Sequence, residues 1–205
     1  MAGPYRAILL FGAPGVGKGT QGTILGRIPG IVHLATGDMF RSLDRSSILG
    51  KEVTRYSARG ELVPDELTIR LWRQHVLTLI EKEEYRPKAD VLALDGIPRN
   101  LAQATALDDA IEPLVVVHLK PDSIDAMVER MKKRAKREGR QDDGDETVIR
   151  RRFEVYERET APVLTHYPRN LIQEVCAVGT PAEVLLHILK VVVPVYNKVF
   201  GNPLD

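Results

Sequence analysis

The chain has 205 residues, with 29 Lys plus Arg against 28 Asp plus Glu and a formal net charge of +1. A chain of this length buries roughly 70% of its unfolded surface and needs no staples to fold, and its balanced charge argues against a nucleic-acid binder that relies on bulk electrostatics. The single cysteine, Cys176, excludes an internal disulfide and any multi-cysteine zinc site. The longest apolar stretch, Val184–Val195, is interrupted by His187 and Lys190, so no membrane span is expected. Met1–Arg6 is too short and polar for a signal peptide, and a reduced, cytoplasmic protein is expected.

Short apolar runs alternate with longer periodic segments, the pattern of an α/β fold with a parallel sheet. Ala7–Phe11 is apolar at every position and predicts a central strand buried on both faces. It ends in glycines, and a helix is expected to begin near Gly17. Gly30–His33, Val91–Asp95, Leu114–Leu119 and Leu171–Val175 read as further strands. Helical patterns cover Asn100–Ile111, Ser123–Arg137, Glu146–His166 and Thr180–Val192. The last opens on Thr180, Pro181 and Glu183, a capping box with proline at the first helical position, and Pro194 is expected to disrupt it. Trp72 reads as a packing residue and Cys176 as an inert, small apolar one. The five histidines are scattered without metal-ligand spacing. Residues 129–152 hold ten of the 29 basic residues against six acidic ones, which by itself reads as a solvated helical face broken at Gly139 and Gly144.

Gly12-Ala-Pro-Gly-Val-Gly-Lys-Gly-Thr20 carries the chemistry. A glycine-rich turn between a strand and a helix aims backbone N–H groups at phosphate oxygens, the helix N-terminus adds partial positive charge, and Lys18 adds a full one. Glycines are required where a Cβ would block the approach or a positive φ is needed. The position after the lysine, where this class of loop usually places the hydroxyl that meets Mg²⁺, is Gly19, and Thr20 follows.

This Gly-Lys-Gly-Thr ending resembles the nucleoside monophosphate kinases, and the adenylate kinase family most closely. Ala35-Thr-Gly-Asp-Met-Phe-Arg41, Gly60-Glu-Leu-Val-Pro-Asp65, Leu94-Asp-Gly-Ile-Pro-Arg99 with Gln103, Thr160-Ala-Pro162 and Val178-Gly-Thr180 resemble further blocks of that family, in order over nearly the whole chain. The resemblance implies a three-layer fold of the P-loop nucleoside triphosphate hydrolase type, with a five-stranded parallel sheet flanked by helices. It implies one domain over residues 1–205, with a small helical monophosphate-binding segment inserted at 35–64 and a short lid at 133–143, without zinc cysteines.

The activity implied is reversible phosphoryl transfer, Mg²⁺·ATP + AMP ⇌ 2 ADP, serving adenine nucleotide homeostasis. Lys18, Arg99, Arg134, Arg140 and Arg152 are expected at the transferring phosphates. Gly15, Val16, Gly17, Lys18, Gly19, Thr20, Arg130, Arg134 and Gly179 are expected on the ATP side. Thr36, Arg41, Glu61, Leu62, Val63, Gly96, Ile97, Pro98, Arg99, Gln103, Arg140 and Arg152 are expected on the AMP side. Asp95, ending a strand beside the cradle, is expected to hold Mg²⁺ through its waters. Arg41 and Arg99 can each make the paired N–H contacts to phosphate that a lysine cannot. Gln103 offers both a donor and an acceptor to an adenine edge, and Thr36 a hydroxyl near the base. Asp142-Asp143 resembles the family's paired lid aspartates, with spacing one residue off: counting back from Tyr156 selects Arg152, and counting forward from Asp142 selects Arg151. Arg152 is preferred, since an insertion is easier in the Gly139–Gly144 loop than within a helix. Ile97 stands where the family usually has an aromatic residue. A monomer with no nucleic-acid or membrane partner is expected. The rivals are a UMP/CMP kinase, against which Thr36 and Gln103 argue, and a nucleotide sensor without turnover, against which Lys18, Asp95 and the arginines argue.

Overall fold

The computed structural model describes residues 4–121, 123–138 and 145–200. Among these, β1 (Tyr5–Phe11), β2 (Ile31–Ala35), β3 (Val91–Asp95), β4 (Ile111–Lys120) and β5 (Ile172–Cys176) form a five-stranded sheet in the order β2-β3-β1-β4-β5. Every pairing is parallel. β1 lies at the centre because it is apolar on both faces: Ala7, Leu9 and Phe11 point into one core, Ile8 and Leu10 into the other.

The first core, on the Ile8 and Leu10 face, is closed by α1 (Lys18–Leu25), α6 (Ile124–Glu138), α7 (Glu146–Val155) and α8 (Pro181–Tyr196). The second is closed by α2 (Thr36–Arg41), α3 (Ile48–Ser57), α4 (Asp65–Glu81) and α5 (Leu101–Leu107). Trp72 on α4 is completely buried there, the packing role its sequence context suggests. Burying a side chain of that size contributes roughly 2–3 kcal/mol. Because the chain crosses from β1 past β3 to β2, and β4 lies on the other side of β1, the crevice at the carboxyl end of β1 is a switch point where α/β folds bind ligands.

Four elements depart from the sequence reading. The helix expected over Asn100–Ile111 stops at Leu107, and Ile111 already belongs to β4. Pro113 lies in β4 where the register slips between Ala7 and Ile8, the irregular position at which a strand tolerates proline. Pro194 does not end α8, which runs to Tyr196: the Asn197 N–H still reaches the Val193 carbonyl, and the buried Val192 and Tyr196 hold the last turn to the core. The capping box at Thr180 and Glu183 is present as expected. Glu146–His166 is not one α-helix: α7 gives way to a π-helical turn, Tyr156–Thr160, and then a 3₁₀ turn, Ala161–His166. Cys176, expected as an inert, small apolar residue, is the last residue of β5 and is exposed. No helix among the described residues is long and apolar enough to cross a membrane.

Candidate active site

The loop between β1 and α1 is shaped by backbone geometry. Gly12, Gly15 and Gly17 have φ of +144°, +79° and +108°, values that L side chains rarely adopt. At Gly15 there is a second constraint: a Cβ would come within 2.9 Å of Met131 Cγ and 3.1 Å of the Met127 carbonyl, so α6 presses directly on the loop. Gly17 caps α1 without a side chain, leaving the helix's first N–H groups and their partial charge uncovered by any cap.

Lys18 folds back over this loop, its Nζ donating to the carbonyls of Gly12 (2.6 Å) and Ala13 (3.1 Å). Burial lowers its pKa to about 8, and Arg99, Arg152 and Arg134 push it further down against the opposing pull of Asp95. Arg99 is lowered to about 10, by burial first and then by Arg152. Arg99, Arg134 and Arg152 therefore gather within charge range of Lys18 near the carboxyl end of β1, with Asp95 opposing them at Lys18 and Arg99, a field built for several negative charges.

Asp95 ends β3 in register with Leu10 of β1 and Ala35 of β2. Its Oδ2 lies 3.6 Å from where a Cβ of Gly19 would be, so the carboxylate abuts the start of α1. Hard oxygen donors of this kind suit Mg²⁺, which keeps several waters and takes one or two carboxylates plus substrate phosphates. The Asp95 carboxylate fits that donor type, and Thr20, two residues into α1 from Lys18, is exposed.

Beside the cradle opens a cavity of about 460 Å³, lined among others by Lys18, Arg41, Glu61, Leu62, Gly96, Pro98, Arg99 and Arg152. That volume is within the usual range for small-ligand sites. Phe40, Leu43, Val53 and Thr54 from α2, α3 and their connection, together with Arg45, complete the wall. Sequence reading missed them because α3 and α4 were not resolved as elements; the periodic Leu49, Val53 and Tyr56 were the available signal. Arg41 is ion-paired to Asp38 on the same helix face.

Arg152, on the last turn of α7, lines this cavity and is within charge range of both Lys18 and Arg99. Arg151 is exposed and bonds Glu154 at 2.9 Å. Ile149, Phe153 and Tyr156, expected to face inward, are buried. On α6, Arg134 approaches Lys18, while Arg130 is exposed on the helix surface. Arg140, Asp142 and Asp143 lie outside the described residues, as does residues 139–143 of the expected lid. Gly179, at φ +117°, precedes α8; Gln21 Nε2 donates to the Pro181 carbonyl at 2.9 Å and so draws this segment against α1.

Thr36 and Gln103 sit in the cavity's wall rather than at its surface. Thr36 is completely buried, its hydroxyl donating to the Gly96 carbonyl at 2.8 Å. Gln103 is 1% exposed; its Nε2 donates to Asp65 Oδ1 and its Oε1 accepts from the Arg99 N–H, each at 2.8 Å. An amide has two N–H bonds and two lone pairs, so one of each remains for another partner. Ile97 and Val63 are buried in the second core, and Val16 in the first.

This fold and site define a phosphotransferase of the P-loop class, with a backbone cradle for one phosphate chain and an arginine-lined cavity facing it. The Adenylate kinase family model matches residues 10–172. Adenylate kinases of Bifidobacterium longum (41% identical, covering 86% of this chain and 94% of theirs), Thermus thermophilus (39%; 89% and 95%) and Flavobacterium psychrophilum (36%; 90% and 97%) are similar over almost their full lengths. The chain belongs to the adenylate kinase family, and it is a nucleoside monophosphate kinase.

Proposed function

We propose that the protein transfers the terminal phosphoryl group of Mg²⁺·ATP to AMP, giving two ADP, as a cytoplasmic monomer with no nucleic-acid or membrane partner. The observation that carries the reading is the gathering of Arg99, Arg134 and Arg152 around Lys18, with Asp95 within charge range of Lys18 and Arg99, between the cradle and the cavity. Phosphoryl transfer needs the two nucleotides held in line and their charge neutralised, and the protein supplies no nucleophile. In this reading the loop Gly12–Thr20, with Arg130 and Gly179 further out, holds ATP, and Lys18 follows charge onto the moving phosphoryl group. Arg41 leaves Asp38 to meet the AMP phosphate, Arg99 and Arg152 span the transferring group, and Arg140 joins them from the lid. Asp95 and Thr20 would hold Mg²⁺ through its waters; the ion would neutralise charge developing on the phosphate oxygens.

The base side is read by the remaining N–H and lone pair of Gln103, with Thr36 behind the wall and the backbone of Glu61, Leu62 and Val63 alongside. Residues 35–64 and 133–143 are the pieces that close, excluding water that would otherwise take the phosphoryl group. A rate assay with ATP and each monophosphate in turn tests the reading. AMP is expected to exceed UMP and CMP by at least 100-fold in kcat/KM, because polar groups placed for adenine are left unpaired by a pyrimidine. Equal rates with UMP or CMP would replace AMP by a pyrimidine nucleotide, and no turnover with any of them would leave a sensor.

A further inference from the structure

Thr160 occupies an unusual position for a threonine. It stands at the N-cap of the 3₁₀ turn Ala161–His166, where a threonine hydroxyl ordinarily accepts from the N–H two or three residues on. Pro162, at the second position of that turn, has no N–H to give, and no capping bond forms. The hydroxyl instead reaches 61 residues back along the chain and donates to the carbonyl of Arg99 at 2.7 Å.

That carbonyl belongs to a residue held by two further hydrogen bonds. The Arg99 N–H donates to Gln103 Oε1 at 2.8 Å, and its Nε donates to the Gly96 carbonyl at 3.0 Å. Gly96, at φ +82°, has no room for a Cβ, which would come within 2.9 Å of Arg99 Nη2. Both of these bonds come from the neighbouring loop and α5. Thr160 alone comes from another part of the fold, and it is the last residue of the π-helical turn that continues α7. Eight residues earlier on that path stands Arg152, which faces the same cavity.

Arg152 lies within charge range of Arg99, so the relative placement of the two guanidiniums depends on how their backbones are joined. The π turn sets up the tie: the Ala161 N–H reaches the Tyr156 carbonyl, and the extra residue in this wide turn changes the direction in which Thr160 points relative to a continuing α-helix.

We propose that Thr160 is a positioning residue for phosphoryl transfer, its hydroxyl tying the helix that carries Arg152 to the backbone of Arg99 so that both arginines address one phosphoryl group. The proposal rests on the reading that Arg99 and Arg152 contact the transferring phosphates. It predicts that the hydroxyl, not the shape of the side chain, is what matters.

Thr160→Val keeps the shape and removes the donor, and Thr160→Ser keeps the donor. Steady-state kinetics of the full-length protein with ATP and AMP varied separately should show Thr160→Val lowering kcat/KM for AMP at least tenfold, with Thr160→Ser within threefold of the parent. The KM for ATP should change less than twofold in either. In an Arg99→Ala background the valine substitution should cost clearly less than it does in the parent, since only Arg152 remains to be positioned. Should the valine variant not fold, Thr160→Ala supplies the same comparison. Valine within threefold of the parent beside a crippled Arg99→Ala overturns the positioning role and leaves the phosphate reading standing. Arg99→Ala within threefold overturns the phosphate reading itself. Serine as impaired as valine, or an ATP KM that rises in step with the AMP effect, points to lost packing and overturns the proposal.

Discussion

The phosphate cradle and the Gly96–Gln103 segment meet at Lys18 and Arg99, yet they are built in opposite ways. The cradle is made of main chain: three left-handed glycines, an uncapped helix start, and α6 packed on Gly15. The facing segment is made of side-chain bonds, with Thr36 on Gly96, Gln103 and Thr160 on Arg99, and Asp65 accepting from both Gln103 and Asn100. A structure made of main chain is specified by the few residues that form it, and its failures come from adding atoms. One made of side-chain bonds borrows residues from four places in the chain, and its failures come from removing a single polar atom.

Removing charge from the cradle without disturbing its backbone gives the largest expected effect. Lys18→Ala should lower kcat at least 100-fold, because an ammonium on the moving phosphoryl group matters most in the transition state. A circular-dichroism melt should remain cooperative, as the lost contacts are two loop carbonyls at the surface of the core. Near-normal turnover by a folded variant would mean that the main chain of the cradle does the work unaided.

On the facing side, neighbouring arginines separate the cavity from the surface. Arg152→Ala should reduce kcat/KM for AMP by 100-fold or more, whereas Arg151→Ala, which breaks an exposed pair with Glu154, should cost less than about fivefold. Both are measured at saturating ATP and Mg²⁺ with AMP varied. If Arg151→Ala is the crippled variant, the helix presents its other face to the phosphates.

A smaller effect follows from how the two regions share charge. Burial and the arginines opposite hold Lys18 near a pKa of about 8 in the unliganded protein. Phosphates favour the ammonium, so the bound-state pKa is higher, and binding takes up a proton at pH values above about 8. Affinity for ATP should be flat well below pH 8 and weaken as pH rises through it, approaching tenfold per unit. Calorimetry in buffers of different ionisation enthalpy should register the proton taken up. An affinity unchanged between pH 7 and 9 would show that Lys18 keeps its proton without phosphate.

What could be read from the chain alone was whatever neighbouring residues encode together. β1 was legible because five consecutive apolar residues can only be buried on both faces, the cradle because glycines and Lys18 follow at fixed offsets, and the start of α8 because Thr180, Pro181 and Glu183 form one capping unit. The outer strands were legible to within a few residues, whereas α4 and its buried Trp72 were not read as a helix, since their apolar face is defined only by the sheet it covers.

Tertiary structure decided what depends on partners distant in sequence. Pro194 stays helical because Val192 and Tyr196 are anchored in the core, which outweighs one missing hydrogen bond. The stretch 146–166 changes from α to π to 3₁₀ winding although its polar and apolar spacing reads as one helix. The amide of Gln103, which offers an adenine edge in sequence, is half committed to Asp65 and Arg99. Arg151 and Arg152 are the same amino acid one residue apart, and only the direction in which α7 enters the core sends one to water and the other to the cavity. Local pattern fixes which backbone conformations are cheap; which polar atoms meet across 60 residues is settled by the packing of two cores around one sheet.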